Sequence, residues 1–208
     1  MPWGYRSFWI RSRMQKGLFA VGYDDIKSIE YFHQQLDAYW RKDGETIEEA
    51  IKQALNEYDT VFEKCERFAE KLYQDASASG SEKYADLASL AYRQAIAAHK
   101  IVAGPDGEVL FISKENFSNG CAATLDVTYP SIPQFLLYNP ELVKGMLRPI
   151  FKYASTEVWH YDFAPHDVGT YPLLNGQVYS NGTTPDWQMP VEECGNMLIC
   201  AAAVAIAS

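Results

Sequence analysis

Two long runs of apolar residues at helical spacing, split by a short break, constrain this chain more than any other feature. Ile47, Ile51, Leu55, Tyr58, Val61, Phe62, Cys65, Phe68 and Leu72 recur three and four apart, the stripe of an amphipathic helix. Thr46-Ile47-Glu48-Glu49 stands ahead of it with capping-box spacing, so a helix is expected from about Ile47 to Asp75. Ser77-Ala78-Ser79-Gly80 interrupts the pattern, and Tyr84, Leu87, Leu90, Ala91, Ala95, Ile96 and Ala98 resume it, which predicts a second helix over 81–102. Two such helices across a tight break make a hairpin, and the fold class that follows is mainly α.

Other segments read from local chemistry. Residues 1–35 alternate aromatic, basic and small groups around Gly4, Gly17 and Gly22, which suits short strands. Gly104-Pro105-Asp106-Gly107 is a tight turn, and Glu108 to Ser113 follows as a short strand. Asn139-Pro140-Glu141 places a capping residue, a proline and an acid in the order of a helix start, so a helix is expected to about Tyr153. Pro190 opens the last helix in the same way, with Glu192 and Glu193 in its first turn. From Met197 to Ala207 that helix is apolar on every side, the mark of a buried helix. Eleven residues fall short of the roughly 20 that cross a bilayer, so no membrane span is expected. It reaches Ser208 without a glycine cap or a basic last turn, which reads as a truncated chain.

With 208 residues, 48% of them hydrophobic, the chain can bury one sizeable core. A net charge of -9 argues against nucleic acid, whose phosphates call for clustered Lys and Arg. Arg6, Arg11, Arg13 and Lys16 are the nearest approach to a basic patch and read as a solvated or inter-domain face. Cys65, Cys121, Cys194 and Cys200 lack zinc-site spacing and read as reduced, mostly buried thiols. The first ten residues have no continuous apolar core of a signal peptide, and a leader would sit upstream of Met1.

Chemistry concentrates between Phe163 and Met197. Ala164-Pro165-His166-Asp167-Val168-Gly169-Thr170-Tyr171-Pro172 and Met189-Pro190-Val191-Glu192-Glu193-Cys194-Gly195-Asn196-Met197 are polar segments set between proline and glycine turns, a pattern that packing alone does not require. Together with Ser118-Asn119-Gly120, Asp126-Val127-Thr128-Tyr129-Pro130, Tyr138-Asn139-Pro140-Glu141-Leu142, Gly22-Tyr23-Asp24-Asp25 and Ala91-Tyr92-Arg93-Gln94-Ala95, they resemble the glutaminase A-like family along nearly the whole chain. The resemblance implies a multi-domain protein: a β-rich region, then a helical region that closes into a six-hairpin α/α toroid. Residues 1–35 are then the tail of the preceding β-rich domain with a linker, and 36–208 a toroid region truncated at its C-terminus, with short β segments near the N-terminus and around 108–113. It implies a fragment, read as a bacterial member, that converts glutamine to glutamate and ammonia when complete. It further implies export, hence an extracellular or periplasmic setting, and as partners a small-molecule substrate and the rest of its own chain. No cofactor is called for.

Amide hydrolysis needs an activated nucleophile or a general base that drives water onto the carboxamide carbon, with donors for the oxyanion. Serine routes lack support, since no Gly-x-Ser-x-Gly elbow and no Ser-x-x-Lys occur. Cys121 reads as a small buried residue because nothing local lowers its pKa. Carboxylates are the stronger candidates: Asp126, Asp167 and Glu192 as catalytic groups, with His166 as a proton shuttle. Successive helix residues point about 100° apart, so Glu192 or Glu193 faces a cleft and not both. Glu192 is favoured, with Glu193 structural or paired to Arg93. The bland alternatives are first-turn capping for either glutamate and loop-knitting hydrogen bonds for His166. Arg93, Lys114, Asn119, Tyr171 and Trp187 are substrate-binding candidates, Arg93 also reading as a buried ion-pair partner. A hard cation at His166 and Asp167 finds no ligand-loop spacing, so no metal is expected.

A second enzyme class follows from the toroid. Glycoside hydrolases on that scaffold use two carboxylates, about 6.5–9.5 Å apart when inverting, with aromatic groups lining the sugar site. Asp126 or Asp167 against Glu192 would serve, with Tyr129, Trp159, Tyr161, Tyr171 and Trp187 as aromatics, all of which equally suit ordinary packing. A non-catalytic helical module is the third reading.

Overall fold

The computed structural model describes Leu18 and residues 20–208, so the basic group Arg6, Arg11, Arg13 and Lys16 lies outside the described residues. The fold is mainly helical. It divides into two compact units: one comprises the residues up to Ile26 with Trp40–Gln94, the other Lys27–Tyr39 with Ala95–Ser208.

The first unit holds α1 (Ile47–Ser79) and most of α2 (Glu82–Ala97). The expected capping box opens α1: the Thr46 hydroxyl accepts from the Glu49 N–H, and the Thr46 N–H donates to the Glu49 carboxylate. The two helices run antiparallel, as Phe68 meets Tyr92 with ring centroids 5.2 Å apart while Tyr73, farther along α1, interacts with Asp86, earlier on α2.

The helix expected over 81–102 ends at Ala97, and His99–Ala103 is instead a strand, β3, antiparallel to β4 (Val109–Ser113) across the Gly104–Gly107 turn. The reason is tertiary. Val102 and the Leu110–Ile112 run are buried together, and β-branched Ile101 and Val102 suit the strand better than a helix end. Two further elements come from the N-terminal side: β1 (Ile29–Tyr31) and β2 (Gln34–Leu36) form a hairpin through Phe32 and His33, both at positive φ, and β5 (Leu173–Leu174) joins β1 in parallel.

Three helices pack with these strands in the second unit. α3 (Leu125–Tyr138), an element with no counterpart in the sequence reading, holds Pro130 and Pro133 within it. Neither proline can donate to the carbonyl four residues back, yet Leu125, Thr128, Ile132 and Phe135 form a buried stripe whose packing outweighs the lost bonds. α4 (Pro140–Ala154) begins where its proline signal indicated and lies on β4. A Cβ at Gly145 would lie 3.0 Å from the Val109 oxygen and the Phe111 nitrogen, so glycine allows the helix to approach this closely without displacing the strand backbone. Arg148 adds a tie, donating at 2.6 Å to the Val109 carbonyl. α5 (Pro190–Ala207) packs on α3 and α4 through Glu193, Asn196, Cys200 and Val204. It is longer than the apolar run alone and, by length and composition, is the one described helix that could cross a bilayer.

Candidate functional site

Backbone pairing brings the site together. The segment after β4 and the loop before β5 run side by side: the Leu125 N–H donates to the His166 carbonyl, Val168 N–H to Ala122, and Ala122 N–H to Gly169, at 2.8 to 3.0 Å. Asp126, in the first turn of α3, is thereby set next to His166, forty residues later in the chain.

Asp167 anchors this loop. It is fully buried, and its Oδ1 accepts the N–H groups of Gly169 (2.8 Å) and Val178 (3.0 Å). Its Oδ2 accepts the Tyr179 N–H at 3.1 Å and lies 3.0 Å from His166 Nδ1. Because a carboxylate only accepts, Nδ1 carries the hydrogen and Nε2 is the ring nitrogen turned toward Asp126, 3.8 Å from its Oδ2. The imidazole stacks on Tyr179, with centroids 4.0 Å apart. Gln177 braces the same loop, accepting from the His166 N–H at 2.7 Å and donating to Tyr179, Gly182 and Gln188.

α5 supplies the third side. Glu193 is 1% exposed; its Oε2 accepts from Asn196 at 3.3 Å, while its Oε1 is buried without a hydrogen-bond partner. Burial pushes its pKa up to about 7, with Asp126 and Glu192 adding to the rise and Asn196 and His166 opposing it. Asp126 is raised for the same first reason, tempered by His166, and its Oδ1 is also buried without a partner. For His166 burial favours the neutral ring, but the hydrogen bond and charge of Asp167, with Asp126 and Glu193, outweigh it and hold the pKa above the ordinary value.

Family comparison agrees with this architecture. Residues 81–208 match the model of the glutaminase A six helical-hairpin domain. The chain belongs to that family. A second family, described as a domain of unknown function (DUF5127), matches residues 8–75. Glutaminase A of Aspergillus oryzae is 31% identical over 194 residues, 90% of this chain and 27% of that protein. A protein of Arthroderma benhamiae named "Probable glutaminase" is 36% identical over 187 residues, 89% of this chain and 19% of that protein. The chain thus spans about a quarter or less of these two fungal relatives. No solved structure matches it significantly.

Within this glutaminase A-type domain, Asp126, His166 and Asp167 lie together. Glu192 does not enter the cluster; it is exposed at the rim, close enough for its charge to raise Asp126 and Glu193. Helix phase decides this, since Glu193 shares the inward stripe with Asn196, Cys200 and Val204. Arg93 is exposed on α2 in the first unit. Lys114 is half-buried with its ammonium 5.1 Å over the Tyr171 ring. Asn119 is exposed and caps its own turn, accepting from the Cys121 N–H at 2.9 Å. Trp187 is 86% exposed at positive φ. Of the other aromatic candidates, Trp159 is core, with its indole N–H donating to Phe163. Gln177, Asn196 and Glu115 were not singled out from sequence. An apolar depression of about 330 Å³ between Tyr161–Ala164 and Cys194, Met197 and Leu198 lies apart from these titratable groups, none of which lines it.

Proposed function

We propose that this chain carries the reaction centre of a glutaminase-like amidohydrolase that converts glutamine to glutamate and ammonia. Glu193 carries the reading: a carboxylate buried on α5, one oxygen unpartnered, facing the charges of His166 and Asp126. A carboxyl with a pKa of about 7 is populated in both forms near neutrality, the property a general acid/base needs. Glu193 takes a proton from water as the water oxygen bonds to the carboxamide carbon. When the carbon–nitrogen bond breaks, the same proton passes to the departing nitrogen, which leaves as ammonia. Asp167 positions the His166 ring, and Lys114, held over Tyr171, is the cation offered to the substrate's α-carboxylate. The names of the two relatives support the same reaction class. Sugar hydrolysis has less support, since Trp159 is spent on core packing and Trp187 stands on an exposed turn.

The test is ammonia release from glutamine, measured on this chain and on one continued to the length of the relatives. Glu193→Gln is expected to lower the rate by about 10²-fold or more. Loss in Glu192→Gln with Glu193→Gln still active overturns the assignment, and no ammonia from the folded longer protein overturns the reaction.

A further inference from the structure

We propose that Glu115, Asp126 and His166 form a binding site for a divalent transition-metal ion of the zinc type, with Asp167 as the outer group that orients the imidazole. One carboxylate oxygen from Glu115, one from Asp126 and a ring nitrogen of His166 lie within 4.8 Å of one another. The 3.8 Å between His166 Nε2 and Asp126 Oδ2 is too long for a hydrogen bond. It is close to the spacing of two ligands that share an ion about 2.0–2.2 Å from each.

The outer shell is already built. A ligating histidine characteristically gives its other ring N–H to a carboxylate, and Asp167 receives the Nδ1–H of His166 at 3.0 Å. Asp167 cannot itself turn to an ion without abandoning three backbone N–H groups. Two independent features point to a missing partner: Asp126 Oδ1 and Glu193 Oε1 are both buried without a donor, and Glu193 is 1% exposed. A buried carboxylate oxygen left bare is costly. An ion on Asp126 answers the first, and a water on that ion can donate to the second.

A rival trio, Cys121, His166 and Asp167, is equally compact. It requires Asp167 as a ligand, and Cys121 already gives its thiol hydrogen to that same carboxylate. Two carboxylate oxygens with one imidazole suit zinc, whereas calcium and magnesium prefer oxygen alone. Spacing in the sequence could not reveal the site because its ligands come from three separate segments. The inference goes beyond the amidohydrolase reading and does not rest on it, since binding is read without substrate.

The experiment is calorimetric titration of the metal-stripped chain with zinc(II), in a Cys65→Ser background that removes the exposed thiol, with calcium as the comparison arm and cobalt(II) absorption as the probe of ligand type. One zinc ion per chain is expected, weakened about tenfold or more by Asp126→Asn and by Glu115→Gln. Glu115 is half-buried, so its variant keeps the test open should Asp126→Asn fail to fold as judged by circular dichroism. The proposal is overturned by an absence of zinc binding, by unchanged affinity in a folded variant, by calcium binding as tightly as zinc, or by a thiolate-to-cobalt charge-transfer band, which would point to Cys121.

Discussion

Replacing Glu193 by glutamine should make the second unit more stable at neutral pH, even though a buried group is being altered. The folded protein holds this carboxyl's pKa at about 7, against 4.5 when unperturbed. Between those values the folded state keeps a proton that the unfolded chain has released, so stability falls as pH rises through the window and levels off above about 7. At about 1.4 kcal/mol per pH unit, the full span amounts to about 3 kcal/mol. Glutamine keeps an oxygen for Asn196 and carries no charge to bury, so its stability should lack that fall. Urea unfolding in chelator-containing buffer, followed by the fluorescence of buried Trp159, should show the wild-type midpoint dropping by about 1–2 M from pH 4.5 to 8 relative to the variant. At pH 8 Glu193→Gln should be the more stable protein. Parallel pH profiles, or a variant less stable at pH 8, would refute the reasoning. The stabilised variant should also be the one that loses ammonia release, as expected where a strained group serves chemistry.

Gly169→Ala should destabilise the second unit by about 2 kcal/mol or more and loosen the His166 loop, because Gly169 has φ +138° and a Cβ would fall 2.1 Å from the Leu173 oxygen; urea midpoints check this. His99 is half-buried with Nδ1–H donating to the Ala95 carbonyl, and its partial burial lowers its pKa despite that bond. The unfolded chain therefore binds the proton first, so stability is complete above the ordinary histidine pKa and declines as pH falls toward the folded value. A nuclear magnetic resonance titration should find His99 changing below the ordinary histidine value. Burial, with the charges of Asp167, Glu115 and Asp126, pushes the Cys121 thiol far up, so iodoacetamide at pH 8 should label exposed Cys65 and leave Cys121 unmodified by mass spectrometry.

Features that depend on a few neighbouring residues were legible before the structure. The capping box at Thr46, the proline starts of α4 and α5 and the Gly104–Gly107 turn all behave as their local chemistry indicates. What escaped depends on distant partners. α3 survives two internal prolines because a buried stripe packs against α4 and α5, and β3 replaces the end of a helix because β4 lies beside it.

Which of Glu192 and Glu193 points inward was not legible for a related reason. A helix apolar on nearly every side has no hydrophobic face to set its phase, so sequence leaves the inward glutamate undetermined until α3 and α4 choose a side. His166 and Asp167 were legible as a motif, yet Asp126 becomes their partner only through the backbone bonds that join 122–125 to 166–169. Those bonds place a buried imidazole, two carboxylates with bare oxygens and a saturated anchor in one small volume before any substrate arrives. That preorganisation is carried by main-chain pairing between segments distant in the sequence.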